Sequence, residues 1–420
     1  MVMGSIGRPA EPTGQEAQER EAHEQLAQEA VVRVLGRIVD VPEAQWDACA
    51  RGDGASTDPP NPFVSHAFLR ALEESGSAAP DTGWLPQHLL FEDDQGQLLA
   101  CMPCYLKGNS QGEYVFDHGW AEAYMRAGGD YYPKLQAAVP FSPVPGPRLL
   151  VRDGAASIER HALLLEAGRT LTDRLGVSSL HITFMSRDEW RLAGELDYLQ
   201  RTDQQFHWHN DGYGDFDDFL GALASRKRKA IKRERRCALS DDIAIEWVAG
   251  NDLTEAHWDA FFAFYQDTGA RKWGRPYLTR EAFSLLSETM ADRLLLVMAK
   301  RGADYIAGAL NVIGADTLYG RYWGALEARE FLHFEVCYYQ AIDYAIAHGL
   351  ARVEAGAQGG HKLARGYVPA ETYSAHYIAD PRLRAAVADY LARERRAVAE
   401  EAALLAAESP YRKEPGQEPR

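Results

Sequence analysis

The chain has 420 residues, of which 46% are hydrophobic, and a net charge of -16 at neutral pH. This length and composition predict two or more domains with sizeable cores, and the acidic charge excludes a protein that coats nucleic acid with its whole surface. No apolar run approaches the roughly eighteen residues that cross a membrane, and the polar stretch 1–30 does not resemble a signal peptide. We therefore expect a cytoplasmic protein.

Two similar series of elements follow one another along the chain. Residues 87–107 and 293–313 each predict a β-hairpin, and each hairpin is followed by a helix, a glycine and a strand. This repeat predicts an α/β fold of two similar domains, an N-terminal one over 31–204 and a C-terminal one over 205–380.

The two ends of the chain are simpler. Residues 1–30 are polar and predict a disordered or loosely helical tail. Asp380 and Pro381 are typical of the N-cap and the first residue of a helix. We predict this C-terminal helix over 381–408.

The first domain contains a long insertion, residues 108–156, which is rich in aromatic residues. The corresponding stretch of the second domain, 314–330, is much shorter. Because loops of this length are usually functional or disordered, we expect an ordered loop that covers a substrate. The alternative is a surface subdomain that buries its own aromatic residues.

The five cysteines are scattered and do not suggest a disulfide framework. Cys101 and Cys104 have the C-x-x-C spacing, but they lie in "QLLACMPCYL", which is typical of a strand whose alternate side chains point to opposite faces. Zinc would need two further ligands, and no second cysteine pair exists. We predict buried strand cysteines and no metal site.

The stretch 225–236, "SRKRKAIKRERR", has eight basic residues and one acidic residue in an otherwise acidic chain. Like charges four residues apart destabilise a helix, and a bound polyanion would offset this cost. A solvated helix paired with acidic neighbours is the alternative. We predict that the phosphate-rich part of a donor, or RNA, binds to Arg226, Lys227, Arg228, Lys229, Lys232, Arg233 and Arg236.

The stretch "FHWHN", residues 206–210, opens the second domain. His207 and His209 would share one face of a strand, but two histidines make a weak metal site. We therefore assign His207, His209 and Asn210 to hydrogen bonds or substrate contacts, and Tyr322, Trp323 and Tyr367 likewise to substrate binding.

The Gly-rich stretch "GAQGGHKLARGY", residues 356–367, lacks the spacing and the hydroxyl residue of a phosphate-binding P-loop. It leaves the C-terminal end of a predicted strand, where α/β sheets bind ligands. We predict that Glu354, His361, Lys362 and Arg365 are catalytic, with Glu354 or His361 as the base and the cations binding a negative charge. Gln358, Gly359 and Gly360 would contact substrate. The alternative is a glycine-rich turn whose polar residues only hold the loop.

The order of hairpin, helix and strand resembles that of the GNAT acyltransferases, and the doubled form resembles the Fem-type aminoacyltransferases of peptidoglycan synthesis. The chain is most similar in these respects to the FemAB-like predicted N-acyltransferases. The stretches that carry the resemblance lie within 61–380 and include "NPFVSHAFLRALEESG", the basic run with the residues before it, and "GAQGGHKLARGYVPAETYSAHY". The resemblance implies two tandem GNAT-like domains, with mixed sheets flanked by helices, and transfer of an acyl or aminoacyl group to an amine by direct attack.

The resemblance does not fix the donor. GNAT enzymes bind the pyrophosphate of acetyl-CoA at a helix N-terminus, and the corresponding stretch of the second domain, "GALEAREFLHFEV", has three glutamates that would repel it. In the first domain, "SPVPGPRLLVRDG" is the better anion site and offers Arg148. We expect no tightly bound cofactor, with acyl-CoA or aminoacyl-tRNA as co-substrate and tRNA as a candidate partner, and a small-molecule or peptide amine as acceptor. A non-catalytic RNA-binding or scaffold protein with the same fold is the alternative.

Overall fold

A computed structural model describes residues 31–52, 61–152, 154, 156–239, 243–272, 276–356 and 359–412, with the side chains of 270–272 left out. The predicted tail, 1–30, and Gln358 lie outside these ranges. The strands are β1 (Val32–Leu35), β2 (Trp84–Pro86), β3 (His88–Glu92), β4 (Leu98–Met102), β5 (Tyr105–Lys107), β6 (Lys134–Ala137), β7 (Leu150–Val151), β8 (Ser179–Met185), β9 (Leu199–His209), β10 (Ile243–Ala249), β11 (Leu294–Arg301), β12 (Asp304–Ile313), β13 (Thr317–Ala325), β14 (Arg352–Glu354) and β15 (Val368–Ile378).

The helices lie on both faces of the strands. They are α1 (Glu43–Ala50), α2 (His66–Glu74), α3 (His118–Arg126), α4 (Ser157–Leu175), α5 (Arg187–Glu195), α6 (Phe216–Ala222), α7 (Ser225–Ala238), α8 (Glu255–Lys272), α9 (Arg280–Met290), α10 (Leu332–Phe334), α11 (Gln340–Ala347) and α12 (Pro381–Ala407). A π-helical turn, Glu335–Tyr339, joins α10 to α11, and a 3-10 helix, Gly360–Arg365, follows β14. Among the described helices, none combines the length and apolar character needed to span a bilayer.

One mixed sheet of eleven strands runs through both halves of the chain in the order β10-β11-β12-β13-β14-β9-β15-β8-β6-β5-β2. The central pair is β9 and β15, which are antiparallel over nine residue pairs from Val368↔His207 to His376↔Leu199. Strand β15 also pairs with β8 of the first half, and β9 pairs with β14 of the second. The predicted boundary at 204 therefore falls within β9, and the two halves meet along the middle of the sheet.

The elements with strong local signals form where the sequence predicts them. Both predicted hairpins are present, as β3 with β4 and as β11 with β12. Helix α4 ends before Gly176, which has a φ of 64° and takes the left-handed C-cap position. The Asp380 side chain accepts hydrogen bonds from the backbone N–H groups of Arg382 and Leu383, and so caps α12.

Part of the insertion belongs to the sheet. Strand β6 lies within it and pairs with β5 and β8. Its Phe141 carbonyl accepts a hydrogen bond from Tyr322 Oη at 2.8 Å, and its Pro143 carbonyl accepts one from Gln205 Nε2 at 2.6 Å. The insertion therefore reaches over the strands of the second half.

Cys101 and Cys104 are both fully buried, Cys101 in β4 and Cys104 just after it, and they belong to different apolar clusters. Burial raises the pKa of Cys104 to about 12, so its thiol is neutral at physiological pH. Within the described ranges, no group of three or more His, Cys, Asp or Glu side chains is placed to hold a metal ion.

We expect the double variant Cys101→Ala/Cys104→Ala to fold, with a loss of about 1 kcal/mol of unfolding free energy per site from packing. The measurement is a melting curve with and without a reducing agent, together with metal analysis of the purified protein. A wild-type protein that carries zinc, lost in the variant, would contradict this prediction.

Candidate active site

Strands β13 and β14 run parallel but pair over three residues only, Thr317↔Arg352, Leu318↔Val353 and Tyr319↔Glu354. Strand β14 ends there, whereas β13 continues to Ala325. The second half of β13 has no strand partner on this side within the described ranges. Glu354 thus lies where the two strands separate, and we call the gap between them the cleft.

Glu354 is buried and is surrounded by groups that stop just short of hydrogen bonding. Its Oε2 lies 3.7 Å from Arg321 Nη2, and its Oε1 lies 3.8 Å from Arg352 Nε and 3.9 Å from His207 Nε2. Oε2 has no hydrogen-bond partner among the described atoms. Burial raises the pKa of Glu354 to about 7, against the opposing effect of Arg321 and Arg352. A carboxyl group with this pKa can accept a proton near neutral pH.

His207 faces the same cleft from β9, where it lies opposite Glu354 in the strand pairing. Burial, with a smaller effect of Arg352, lowers the pKa of His207 to about 3, so the imidazole is neutral at pH 7. Its Nε2 lies 3.5 Å from Gln205 Oε1. His207 can therefore donate or accept a hydrogen bond here without adding a charge.

The other two residues of the "FHWHN" group lie at the edge of this site. His209 is on the same face as His207 but is exposed. The Asn210 side chain accepts hydrogen bonds from the N–H groups of Gly212 and Tyr213 and donates to the Leu350 carbonyl. Asn210 thus shapes a turn rather than lining the cleft.

Arg321 also lies in this cleft, although it was not predicted from the sequence. In the pairing of β12 with β13, Leu310 faces Tyr322 and Asn311 faces Gly320, so Arg321 is the extra residue of a β-bulge. Bulges re-aim side chains and occur next to active sites. The guanidinium stacks 4.7 Å from the ring centre of Phe63, from the first half. An arginine within the aromatic strand "TLYGRYWG" was the available signal.

The loop after β14 is held by its own cations. Lys362 is buried, and its Nζ donates to the carbonyls of Ala355 at 2.6 Å and Gly356 at 2.9 Å. Burial lowers the pKa of Lys362 to about 8. Gly359, with a φ of 111°, starts the turn, and a Cβ there would lie 2.4 Å from the His361 ring. Lys362 thus ties the loop to the end of the strand that carries Glu354.

Arg365 is also buried and is paired. Its Nη2 lies 3.0 and 2.9 Å from the two carboxylate oxygens of Glu234 in α7, and its Nη1 donates to the His361 carbonyl at 2.7 Å. The guanidinium also stacks 3.4 Å from the ring centre of Phe334. Glu234, the only acidic residue of the basic run, was not predicted as part of the site. This ion pair fixes the loop against α7.

His361 lies on the opposite face of the sheet from Glu354. It is exposed, its Nε2 is 3.0 Å from Tyr338 Oη, and its ring contacts Phe334. Val353, the residue before Glu354, packs in the same cluster as Tyr338. Since alternate strand residues face opposite sides, Glu354 points away from His361. The structure does not bring the two predicted bases together.

The remaining predicted contacts divide between these two faces. Tyr322 lies on the Glu354 side with Arg321, whereas Trp323 packs 5.2 Å from His333 on the His361 side. Tyr367 is fully buried and donates to the Tyr338 carbonyl. A Cβ added to Gly360 would meet no described atom within 4 Å, so this position tolerates a side chain more readily than Gly359 does.

The basic helix α7 forms its ion pairs in its second half, and its first half is open. Lys232 pairs with Asp217 at 2.8 Å, Arg233 lies over the ring of Phe331, and Arg235 pairs with Glu335 and Asp343. Within the described ranges Arg226, Lys227, Arg228, Lys229 and Arg236 form no ion pair. A cavity of about 310 Å³ between α7 and the loop is lined by Arg226, Lys227, Ala230, Ile231, Glu234, Ala364 and Arg365.

The sequence pattern of the FemAB-like family, described as peptidoglycan biosynthesis/recognition, matches residues 37–413. The chain belongs to the FemAB-like family. This confirms the family that the sequence suggested. No curated protein matches the chain.

Solved structures resemble this FemAB-like chain at low sequence identity. FemX is 12% identical, with a TM-score of 0.52 over 83% of this chain and 98% of FemX. L-PGS from Bacillus licheniformis is 9% identical, with a TM-score of 0.48 over 80% and 98%. A tandem GNAT protein from the clavulanic acid biosynthesis pathway is 11% identical, with a TM-score of 0.46 over 84% and 99%. The likeness to FemX confirms the Fem-type fold.

In the FemAB-like chain, the two stretches that were compared as pyrophosphate sites both use their charged residues internally. In the second half, Glu335 is fully buried and accepts hydrogen bonds from Arg235 and Gln340. In the first half, Arg148 is fully buried, and its guanidinium donates to the carbonyls of Val144, Gly146 and Pro147. Arg148 therefore holds its own loop and is not exposed to a ligand.

Proposed function

We propose that this FemAB-like protein is an N-acyltransferase that moves an acyl or aminoacyl group from an activated ester or thioester to an amine. The observation that carries the proposal is Glu354, a buried carboxyl group with a pKa of about 7 at the point where β13 and β14 separate. The family and the Fem-type fold support the same reaction class. A peptide or small-molecule amine related to peptidoglycan is the acceptor that the family description favours.

The reaction needs one proton acceptor and no covalent enzyme intermediate. An ammonium group must lose a proton before its nitrogen can attack, and Glu354 takes this proton. The nitrogen then forms a bond to the carbonyl carbon, the bond to the leaving oxygen or sulfur breaks, and the leaving group receives a proton. Of the two predicted bases we favour Glu354, because His361 lies on the other face of the sheet.

In this proposal, Lys362 and Arg365 position the loop and do not contact the substrate. Lys362 donates hydrogen bonds to the two backbone carbonyls that follow Glu354, and Arg365 donates to the carboxylate of Glu234. Both cations therefore hold the loop that ends β14. This differs from the sequence prediction, in which they bind the negative charge of a substrate.

The donor is proposed to bind through the open half of α7. Arg226 and Lys227 line the cavity beside the loop and are not paired with carboxylates in the described structure. Such a cationic surface favours the phosphates of an aminoacyl-tRNA modestly over acyl-CoA. Either donor is made in the cytoplasm, where we place the reaction.

The test is transfer of a radiolabelled group to amines by the purified protein. Mixed aminoacyl-tRNAs and labelled acetyl-CoA are supplied separately, with soluble peptidoglycan precursors as acceptors, and Glu354→Gln is the control. We expect labelled amide product with the wild type and a strongly reduced amount with the variant. Tight binding of tRNA without transfer from any donor would instead support the RNA-binding alternative.

We expect Arg226→Ala/Lys227→Ala to raise the apparent constant for the donor by about tenfold and to leave the melting curve unchanged, since neither residue is buried. If both contact a single strand, the slope of log affinity against log salt should become shallower by about 1.4. Lys232→Ala is the matched control, because Lys232 is already paired with Asp217 on the same helix. Equal effects of the two variants, or binding that does not depend on salt, would contradict this site.

A further inference from the structure

Arg321 has a buried hydrogen-bonding edge without a partner. Its side chain is 2% exposed, and Nη1 donates to the Gly320 carbonyl at 3.0 Å. Nε and Nη2 are both buried and make no hydrogen bond to any described atom. Buried guanidinium groups are normally paired, because leaving such a group without a partner is costly. This edge is therefore suited to a ligand.

The unpartnered edge has the geometry that binds a carboxylate. Nε and Nη2 lie on the same side of the guanidinium and present two parallel N–H groups. Elsewhere in this chain the same pair of atoms binds both oxygens of a carboxylate, in Arg33 with Glu92, Arg201 with Glu394 and Arg235 with Glu335. At Arg321 no carboxylate of the described chain takes this place.

The nearest acid is Glu354, which is close enough for an ion pair but has one oxygen, Oε2, without a hydrogen bond. Its Oε2 lies 3.7 Å from Arg321 Nη2, beyond hydrogen-bond distance, and accepts no hydrogen bond. A free donor edge and a free acceptor atom thus lie side by side in the cleft. A ligand with a negative group next to a positive one would satisfy both.

Aromatic side chains from both halves surround this pair. The guanidinium stacks on Phe63, and Tyr114, Tyr319 and Tyr322 are close enough to influence its charge. Tyr114, from the insertion, and Tyr322 are only half-buried. These walls keep water away from the charged groups, which strengthens their interactions.

We propose that Arg321 and Glu354 form a subsite for an α-amino acid, free or at the end of a larger acceptor. Arg321 binds the carboxylate, and Glu354 receives the proton of the ammonium group one carbon away. The spacing supports this assignment, because Arg321 Nη2 and Glu354 Oε2 are 3.7 Å apart. Two ligand groups that each form a hydrogen bond to one of these atoms must lie close together, as the amine and the carboxylate of an α-amino acid do. The inference rests on the proposed transfer reaction and names the class of its acceptor.

The first test needs no variant and no donor. Binding of L-alanine, D-alanine and L-lysine to the wild type is measured by titration calorimetry at pH 7, beside the corresponding amides, whose amines are also mostly protonated at this pH. We expect at least one acid to bind about tenfold or more tightly than its amide, the scale of a charge-assisted hydrogen bond. Equal affinity of acids and amides, or no measurable binding of any acid, would overturn the proposal.

Two variants then assign the preference to its residue. Arg321→Gln should abolish the difference between acid and amide, whereas Glu354→Gln should weaken binding of both and keep the difference. Melting curves accompany each variant, and Arg321→Lys, which keeps the charge but not the paired N–H groups, should retain only part of the preference. Persistence of the full preference in Arg321→Gln would place the carboxylate elsewhere and refute the assignment.

These outcomes are separable from failure of the proposed function. If labelled groups are transferred but acids and amides bind alike, only the acceptor class is wrong. If acids are preferred through Arg321 but no donor supports transfer, the subsite is correct and the reaction is wrong.

Discussion

Glu354→Gln is expected to lower turnover by about a hundredfold or more, the usual scale for loss of a general base. The variant keeps the shape of the side chain and removes only its ability to accept a proton. The apparent constants for donor and acceptor should change far less than turnover. The measurement is steady-state transfer with the donor that the radiolabel experiment identifies, beside a melting curve.

The dependence of turnover on pH tests the same assignment of the base. Because the pKa of Glu354 is about 7, turnover of the wild type should rise as pH increases through 7 and level off above it. The small residual turnover of Glu354→Gln should lack this rise. If Glu354→Gln loses turnover as expected but the pH profile of the wild type has no inflection near 7, another group accepts the proton.

The same pKa predicts an opposite effect on stability. A carboxyl group whose pKa is raised by folding stabilises the folded state at low pH and loses this contribution as pH rises through its folded pKa. The melting temperature of the wild type should therefore fall more between pH 6 and pH 8 than that of Glu354→Gln. Parallel melting temperatures would mean that Glu354 is less buried in solution than in the structure.

His361→Ala is the matched control for the catalytic prediction. His361 was the other base that the sequence allowed, and it belongs to the same loop, but its ring contacts Tyr338 and Phe334 on the far face of the sheet. We expect its turnover to stay within a few-fold of the wild type. If His361→Ala is as inactive as Glu354→Gln, the assignment of the base to one face of the sheet is wrong.

The parts of the fold that the sequence predicted are those with local causes. Gly176 ends α4 because it takes a left-handed conformation, and Asp380 starts α12 because its side chain binds two backbone N–H groups. The hairpins follow from alternating apolar residues around short turns. Each of these signals lies within a few residues of the structure that it determines.

The site was predicted only in part because its geometry depends on distant contacts. Glu354 and His361 are seven positions apart in the sequence, and this closeness suggested that they belong to one cluster. The alternation of side chains along the strand and the turn that follows it place them on opposite faces of the sheet. The direction of the Arg321 side chain depends on a β-bulge, which arises only when β12 pairs with β13. The partner of Arg365 lies 131 residues away, in a run whose composition suggested only positive charge.

The second prediction with a large expected effect concerns the ion pair between Glu234 and Arg365. Glu234→Ala is expected to reduce the free energy of unfolding by about 3 kcal/mol, since it leaves the buried Arg365 guanidinium without its carboxylate. The side chains are only 14% and 8% exposed, and Tyr339 Oη also loses its acceptor. The measurement is equilibrium denaturation by urea, with the midpoint and slope compared between variants.

A double-mutant cycle separates the pair from its surroundings. If the cost comes from the unpaired cation, Glu234→Ala/Arg365→Met should be more stable than the sum of the single variants predicts. Asp217→Ala/Lys232→Ala is the control on the same helix, and this exposed pair should contribute less than about 1 kcal/mol. Because Arg365 also bonds to the His361 carbonyl in the loop that ends β14, turnover of Glu234→Ala should fall as well. A variant with unchanged stability but a raised donor constant would show instead that Arg365 binds the donor, as the sequence suggested.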